Sequence, residues 1–190
     1  VDHSDFKGVA ADGSPDTLRV SPARPSSSEH GTHVASIVAS SGYGSELAGL
    51  NPFERRGHAP LALLGDFEAF GADLERTHEA LVDRGMQLSN HSYVQSRIIY
   101  DPWAADLDRI VRGDATYGGA PIPARPQVWA VGNNGSRAQY PSVSAAAGYY
   151  SAFTSAKNTI SVGSVSAPNG NLSAFTSLGP TLDGRIKPDL

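Results

Sequence analysis

The chain contains no cysteine. That excludes disulfides and thiolate metal centres, and it leaves the redox compartment open. No apolar run approaches the ~20 residues that span a bilayer as a helix. Positive charge is not in surplus. Lys and Arg total 15 against 19 Asp and Glu, for a formal net charge of -4. The electrostatic footprint of a nucleic-acid binder is therefore missing. Apolar residues are somewhat lean at 39%, while 20 Gly and 13 Pro make the chain rich in loops. Its 190 residues suit one domain spanning 1–190, large enough to bury about 70% of its unfolded surface. The sequence opens at Val1 without an initiator Met or a signal peptide, as a processed or cut chain does.

What is present is an alternation of helix and strand signals. Residues 1–29 read as loop, with a turn at Gly13-Ser14-Pro15-Asp16 and an exposed Pro/Ser stretch from Ser21 to Ser28. Thr32 to Ser40 is small and apolar, suited to a buried, tightly packed helix. Ala62–Phe67 is a strand candidate. Asp73–Arg84 has helical spacing, with Gly85 placed to end it. Met86–Tyr93 follows as a strand, then Asp101–Arg112 as an amphipathic helix with Trp103, Leu107, Ile110 and Val111 on one side. Gln127–Val131 and Thr159–Val165 complete the strands. Strands alternating with helices imply an α/β fold with a parallel sheet. Ligand sites in such sheets lie beyond the carboxyl ends of the strands, and Asn133 falls at one of these ends.

Two segments carry chemistry. In His30-Gly31-Thr32-His33-Val34-Ala35-Ser36, an imidazole at a helix start is held still and partly exposed, as a general base for a serine must be. Thr32 can bond backbone groups of the first turn. Two ordinary helix histidines are the plain alternative. A metal pair formed by His30 and His33 is another, because residues three apart share a helix face, but it needs further ligands. In Gly132-Asn133-Asn134-Gly135, an amide on a tight turn can donate to a developing oxyanion. A simple Asn-Gly turn is the competing reading.

Taken together, these blocks resemble the subtilisin-like serine peptidases (subtilases, peptidase family S8). His30-Gly31-Thr32-His33-Val34-Ala35 resembles the catalytic-histidine motif. Ser89-Asn90-His91-Ser92-Tyr93 resembles the strand lining the substrate cleft, and Val131-Gly132-Asn133-Asn134-Gly135 the oxyanion motif. The runs 156–163, 175–180 and 184–189 resemble the region leading to the nucleophile. The resemblance implies a subtilisin-like parallel sheet flanked by helices and endopeptide hydrolysis through an acyl-enzyme. His30 would be the general base and Asn133 an oxyanion donor. Ser92, Tyr93 and Gly132 would hold a protein or peptide substrate. No cofactor is implied for catalysis. A structural calcium on Asp5 is implied, against the plain reading of a solvated aspartate. Secretion or a cell-surface location follows from the family as well.

The sequence also departs from that pattern. The family's triad runs Asp, His, Ser along the chain. Here His3-Ser4-Asp5-Phe6-Lys7-Gly8 resembles the segment that follows the triad aspartate, and Asp2 has no glycine turn after it. No serine stands in a Gly-Thr-Ser-Met-Ala-like context. The catalytic domain is therefore expected to be incomplete at both ends, missing the Asp and Ser segments, poorly stable and nearly inactive alone. A non-catalytic peptide-binding relative and one chain of a split protease are the alternatives. Val94 and Gln95 stand where the family commonly has glycine after the cleft strand. Either a side chain narrows the cleft there, or the register differs by one. His78 and His91 read as packing or surface histidines, His58 as part of a structural turn, and Trp103, Trp129, Tyr149 and Tyr150 as core or cleft-wall aromatics.

Overall fold

The computed structural model describes residues 3–9, 15–22, 28–67, 73–94, 99–135 and 155–190. They form two units, 1–68 and 69–190. Gly13, Ser14, residues 23–27, Gln95, Tyr149 and Tyr150 lie outside the described residues.

In the first unit, a 3-10 turn Ser4–Phe6 leads into β1 (Lys7–Val9), which pairs antiparallel with β2 (Pro15–Leu18). β3 (Val20–Pro22) then pairs parallel with β4 (Leu64–Asp66). Three strands thus occupy a region whose sequence reads as loop. Each is only three or four residues long, too short for period-2 alternation to show. Phe6 is buried, and so is Arg19. The Arg19 guanidinium donates to the carbonyls of Ala39 at 2.8 Å, Ala62 at 2.7 Å and Asp5 at 3.3 Å, fixing three segments at once.

The helix at the histidine motif is α1 (Glu29–Ala39). Its N-cap is Ser28, whose Oγ accepts from the Gly31 amide at 3.1 Å, so the capping oxygen comes from Ser28 and not from Thr32. Burial of this helix is confined to its end. Ala39 and Ser40 are buried, but Ile37 is 51% exposed and most of the residues between Thr32 and Val38 are half-buried, so the expected buried, tightly packed helix is buried only at its end. Cover comes from residues 57–59, whose amides bond the carbonyls of Ser40, Ile37 and Val38. A β-carbon on Gly57 would lie 2.6 Å from the Ser40 nitrogen, so only glycine permits this approach. A short α2 (Gly44–Leu47) follows α1.

The second unit is built on α4 (Pro102–Arg112), which has clear start and stop signals. Asp101 caps the Ala104 amide at 3.1 Å, Pro102 opens the helix, and Gly113 closes it at φ 78°. Ala104, Leu107 and Ile110 are buried, whereas Trp103 is 43% exposed, contrary to its expected place on the inner face. Asp108 lies in the buried stripe instead, held by the Tyr100 hydroxyl at 2.8 Å and the Asn158 amide at 2.7 Å.

The expected helix at 73–84 is α3 (Leu74–His78), capped by Asp73 and continued by a π-helical turn Glu79–Asp83. Gly85 follows at φ 64°. The strands β5 (Ser89–His91), β8 (Gln127–Ala130) and β9 (Ile160–Val162) form one parallel sheet in the order β5-β8-β9. A hairpin of β6 (Thr116–Tyr117) and β7 (Ala120–Pro121) stands between α4 and β8. β5 and β9 are shorter than their hydrophobic runs, because the flanking residues bond outside the ladder. The Met86 amide, for one, bonds to the Ala80 carbonyl. The core gathers Leu81, Leu107, Ile110, Ile122 and Trp129, with Tyr93 partly buried against it.

Candidate active site

Parallel pairing puts the carboxyl ends of β5, β8 and β9 at one edge of the sheet. The residues just past those ends are Ser92 to Val94, Val131 to Gly135, and Gly163. This edge brings together four of the residues singled out from sequence: Ser92, Tyr93, Gly132 and Asn133.

The Gly132–Gly135 turn is held on both sides of Asn133. The Val131 amide donates to the Val162 carbonyl at 3.1 Å, so the sheet pairing continues to the start of the turn. Gly132 has φ 98°, a left-handed conformation that favours glycine. Its carbonyl accepts from the Ser177 amide at 3.0 Å. Ser177 Oγ accepts from the Asn134 amide at 3.1 Å, and the Gly135 amide donates to the Phe175 carbonyl at 2.8 Å. Ser177 is fully buried and Asn133 is exposed. The backbone is thus clamped by residues 175–177 while Asn133 itself is exposed. The brace itself was not foreseen, since nothing in the spacing ties Ser177 to Asn133.

Residues 187–190 support the adjacent strand. Asp189 Oδ2 accepts from the Ser161 amide at 2.7 Å and from Lys187 Nζ at 2.5 Å. The Gly163 amide donates to the Leu190 carbonyl at 2.8 Å.

On β5, side chains alternate between two faces. His91 and Tyr93 point into the core. The His91 ring stacks on Trp129 with centroids 3.9 Å apart and planes 6° apart. Its Nε2 bonds Ser89 Oγ at 2.8 Å, and its Nδ1 bonds the Tyr93 hydroxyl at 2.9 Å. Burial pushes the His91 imidazole down to about 3, so the ring is neutral. The opposite face carries Ser92, whose Oγ accepts from Asn90 Nδ2 at 3.0 Å, and Val94.

His30 and Asp5 belong to the first unit. His30 is exposed on the first turn of α1, above the Ser28 cap. Asp5 Oδ1 accepts from the Gly44 amide at 2.5 Å. Its backbone carbonyl accepts from the Ser41 amide at 2.7 Å and from Arg19. The groups around Asp5 are N–H donors, whereas calcium needs six to eight oxygens. Among the described residues no group of three or more His, Asp or Glu could hold a metal ion.

The chain matches the model of the subtilase family over residues 3–190. It belongs to the subtilase family. Searches of curated proteins and of solved structures return no match. At the level of the family, this subtilase is a serine peptidase with an α/β fold, and its substrates are proteins. Among its described residues no helix is long and apolar enough to cross a membrane.

Proposed function

We propose that this subtilase cleaves peptide bonds within protein chains through an acyl-enzyme, and that residues 1–190 are part of its catalytic domain. The observation that carries this reading is the shared edge of the sheet, where the cleft strand after β5 and the braced turn at Asn133 come together. An extended peptide adds to the backbone at Ser92 and Tyr93 as a further strand. Its scissile carbonyl then lies against the Gly132–Asn133 turn. His30 takes the proton from the nucleophilic serine as that oxygen attacks, and returns it to the leaving amine. The Asn133 amide donates to the oxyanion of the tetrahedral intermediate. The triad's serine and aspartate belong to family motifs that residues 1–190 do not show. Secretion or cell-surface display fits a peptidase with protein substrates. Calcium has no role in these steps.

The test is a pair of substitutions in the serine-bearing protein. Asn133→Ala is expected to lower kcat about 10²–10³-fold with KM nearly unchanged, the magnitude known for subtilisin itself, a member of this family. His30→Ala is expected to leave only the residual catalysis of binding and oxyanion stabilisation. Activity within a few-fold of the parent after either change would refute the assignment.

A further inference from the structure

The dipeptide Asn-Gly occurs twice, at 134–135 and at 169–170. Its chemistry needs no enzyme. The glycine amide nitrogen, unshielded by a side chain, attacks the asparagine carboxamide carbon when the two meet. The bond from that carbon to Nδ2 breaks, the amide proton leaves with the nitrogen as ammonia, and a cyclic imide forms. Water then opens the ring at one carbonyl or the other, giving aspartate or isoaspartate. The structure gives the two copies opposite settings. At Asn134 the reacting peptide is gripped from outside the turn. The Asn134 amide donates to Ser177 Oγ at 3.1 Å, and the Gly135 amide donates to the Phe175 carbonyl at 2.8 Å. Gly135 also packs directly on the Thr176 backbone. The peptide plane is therefore not free to rotate and bring its nitrogen to the carboxamide.

Asn169 sits at the tip of the hairpin that follows β9, where residues 167–172 are exposed. Val165 pairs antiparallel with Leu172, and the Ser166 amide donates to the Asn171 carbonyl at 2.7 Å, which closes the hairpin below the tip. Gly170 has φ 68°, with nothing within 4 Å of the point where its β-carbon would stand. Its amide bonds the Ser166 carbonyl at 2.8 Å, within the same tip, and an exposed tip opens at little cost. The Asn171 amide donates to Asn169 Oδ1 at 3.0 Å. That bond folds the carboxamide back onto its own backbone. Oδ1 is also the oxygen on which negative charge develops when the carbon is attacked, so a donor aimed at it favours the attack. We infer that Asn169 is a self-modification site, converting to aspartate and isoaspartate in the folded protein, whereas the brace at 175–177 keeps Asn134 an amide. The conversion adds a negative charge at the hairpin tip, and the isoaspartate form lengthens the tip backbone by a carbon atom. None of this depends on the peptidase reading.

Peptide mapping by mass spectrometry tests it. The serine-bearing protein is held in mildly alkaline buffer below its thermal transition, with a sulfonyl fluoride to prevent self-digestion, and sampled at intervals. A parallel sample is held in concentrated urea. In the folded sample Asn169 is expected to convert at least about tenfold faster than Asn134, because opening is nearly free at exposed tips and approaches the global stability at braced segments. In urea the two sites should convert at comparable rates. Ser177→Ala removes the acceptor for the Asn134 amide, so it should speed conversion at 134 and leave 169 unchanged. Asn169→Gln, a surface change, should remove the fast-converting site, because the longer side chain does not close the same ring. An Asn169 that stays an amide in the folded sample, whatever happens in urea, would overturn the inference. So would conversion at 134 as fast as at 169 in the folded sample. An unchanged rate at 134 in Ser177→Ala would overturn the brace as the source of protection.

Discussion

A single buried imidazole shows how far one residue can depart from its type. Six histidines occur in the chain, and His91 is 2% exposed while His30 and His33 lie on the surface. A histidine on a strand between Asn90 and Ser92 carries no sequence mark of burial. The mark sits across the sheet, where parallel register places Trp129 opposite it. Neutral imidazole has one donor and one acceptor nitrogen, and the hydroxyls of Ser89 and Tyr93 satisfy both. Protonation would put a charge into this stack, which is why burial holds the group at about 3. The consequence for stability has a definite sign. The unfolded chain takes up a proton near the ordinary value of about 6.5, while the folded chain does not until about 3. Between those limits the unfolded state binds more protons, so stability falls as pH falls. From pH 6.5 to 5, above the carboxylate range, the loss from His91 is about 2 kcal/mol. Urea midpoints measured across that interval should drop in the parent. In His91→Phe, which retains an aromatic ring at the stack, the starting stability is lower and the slope contributed by this site is gone. Equal slopes in the two proteins would remove His91 as the cause.

At the scale of an element, the Gly132–Gly135 turn is defined by what presses on it. A β-carbon on Gly135 would collide with the Thr176 carbonyl oxygen, a backbone atom that cannot move without breaking the brace. Gly135→Ala must therefore displace residues 175–177, which also hold Gly132 and Asn134. A cost of about 2–3 kcal/mol is expected from the overpacking and the lost bonds. Ser177→Ala should cost about 1–2 kcal/mol, because it leaves the Asn134 amide without that acceptor. Chemical denaturation of the two variants checks both magnitudes, and Gly135→Ala should be the worse. The sequence made the turn itself legible through its Asn-Gly signal, and its chemistry through the buried strand before it. It did not reveal why glycine is obligatory at 135, because the pressing carbonyl is 41 residues further on. The same holds for Arg19, whose three carbonyl partners lie in segments that no local pattern connects. Capped elements were the easiest to read. Asp101, Pro102 and Gly113 mark both ends of α4 by local chemistry alone. Trp103 was misplaced because a helical period does not reveal that Asp108 takes a buried position through Tyr100 and Asn158.

For the molecule as a whole, the order of motifs proved more informative than any single one. The blocks at 30–35, 89–93, 131–135 and 184–189 follow one another in an order that resembles the subtilases, and the family match runs across them from 3 to 190. Catalysis, however, is a property of an assembled triad, and its members act as a unit. In the proposed roles, His30 and Asn133 without the serine retain only binding and transition-state electrostatics. The polypeptide of these 190 residues is therefore expected to hydrolyse labelled casein at no more than background rate. Three outcomes separate the readings. Turnover by this polypeptide that His30→Ala abolishes would mean that a serine within 1–190 serves as nucleophile, and the motif argument would be wrong. Turnover that appears only when a second polypeptide is added would identify a split protease. Peptide binding without turnover, from a gene whose reading frame encodes nothing more, would make the cleft a peptide receptor.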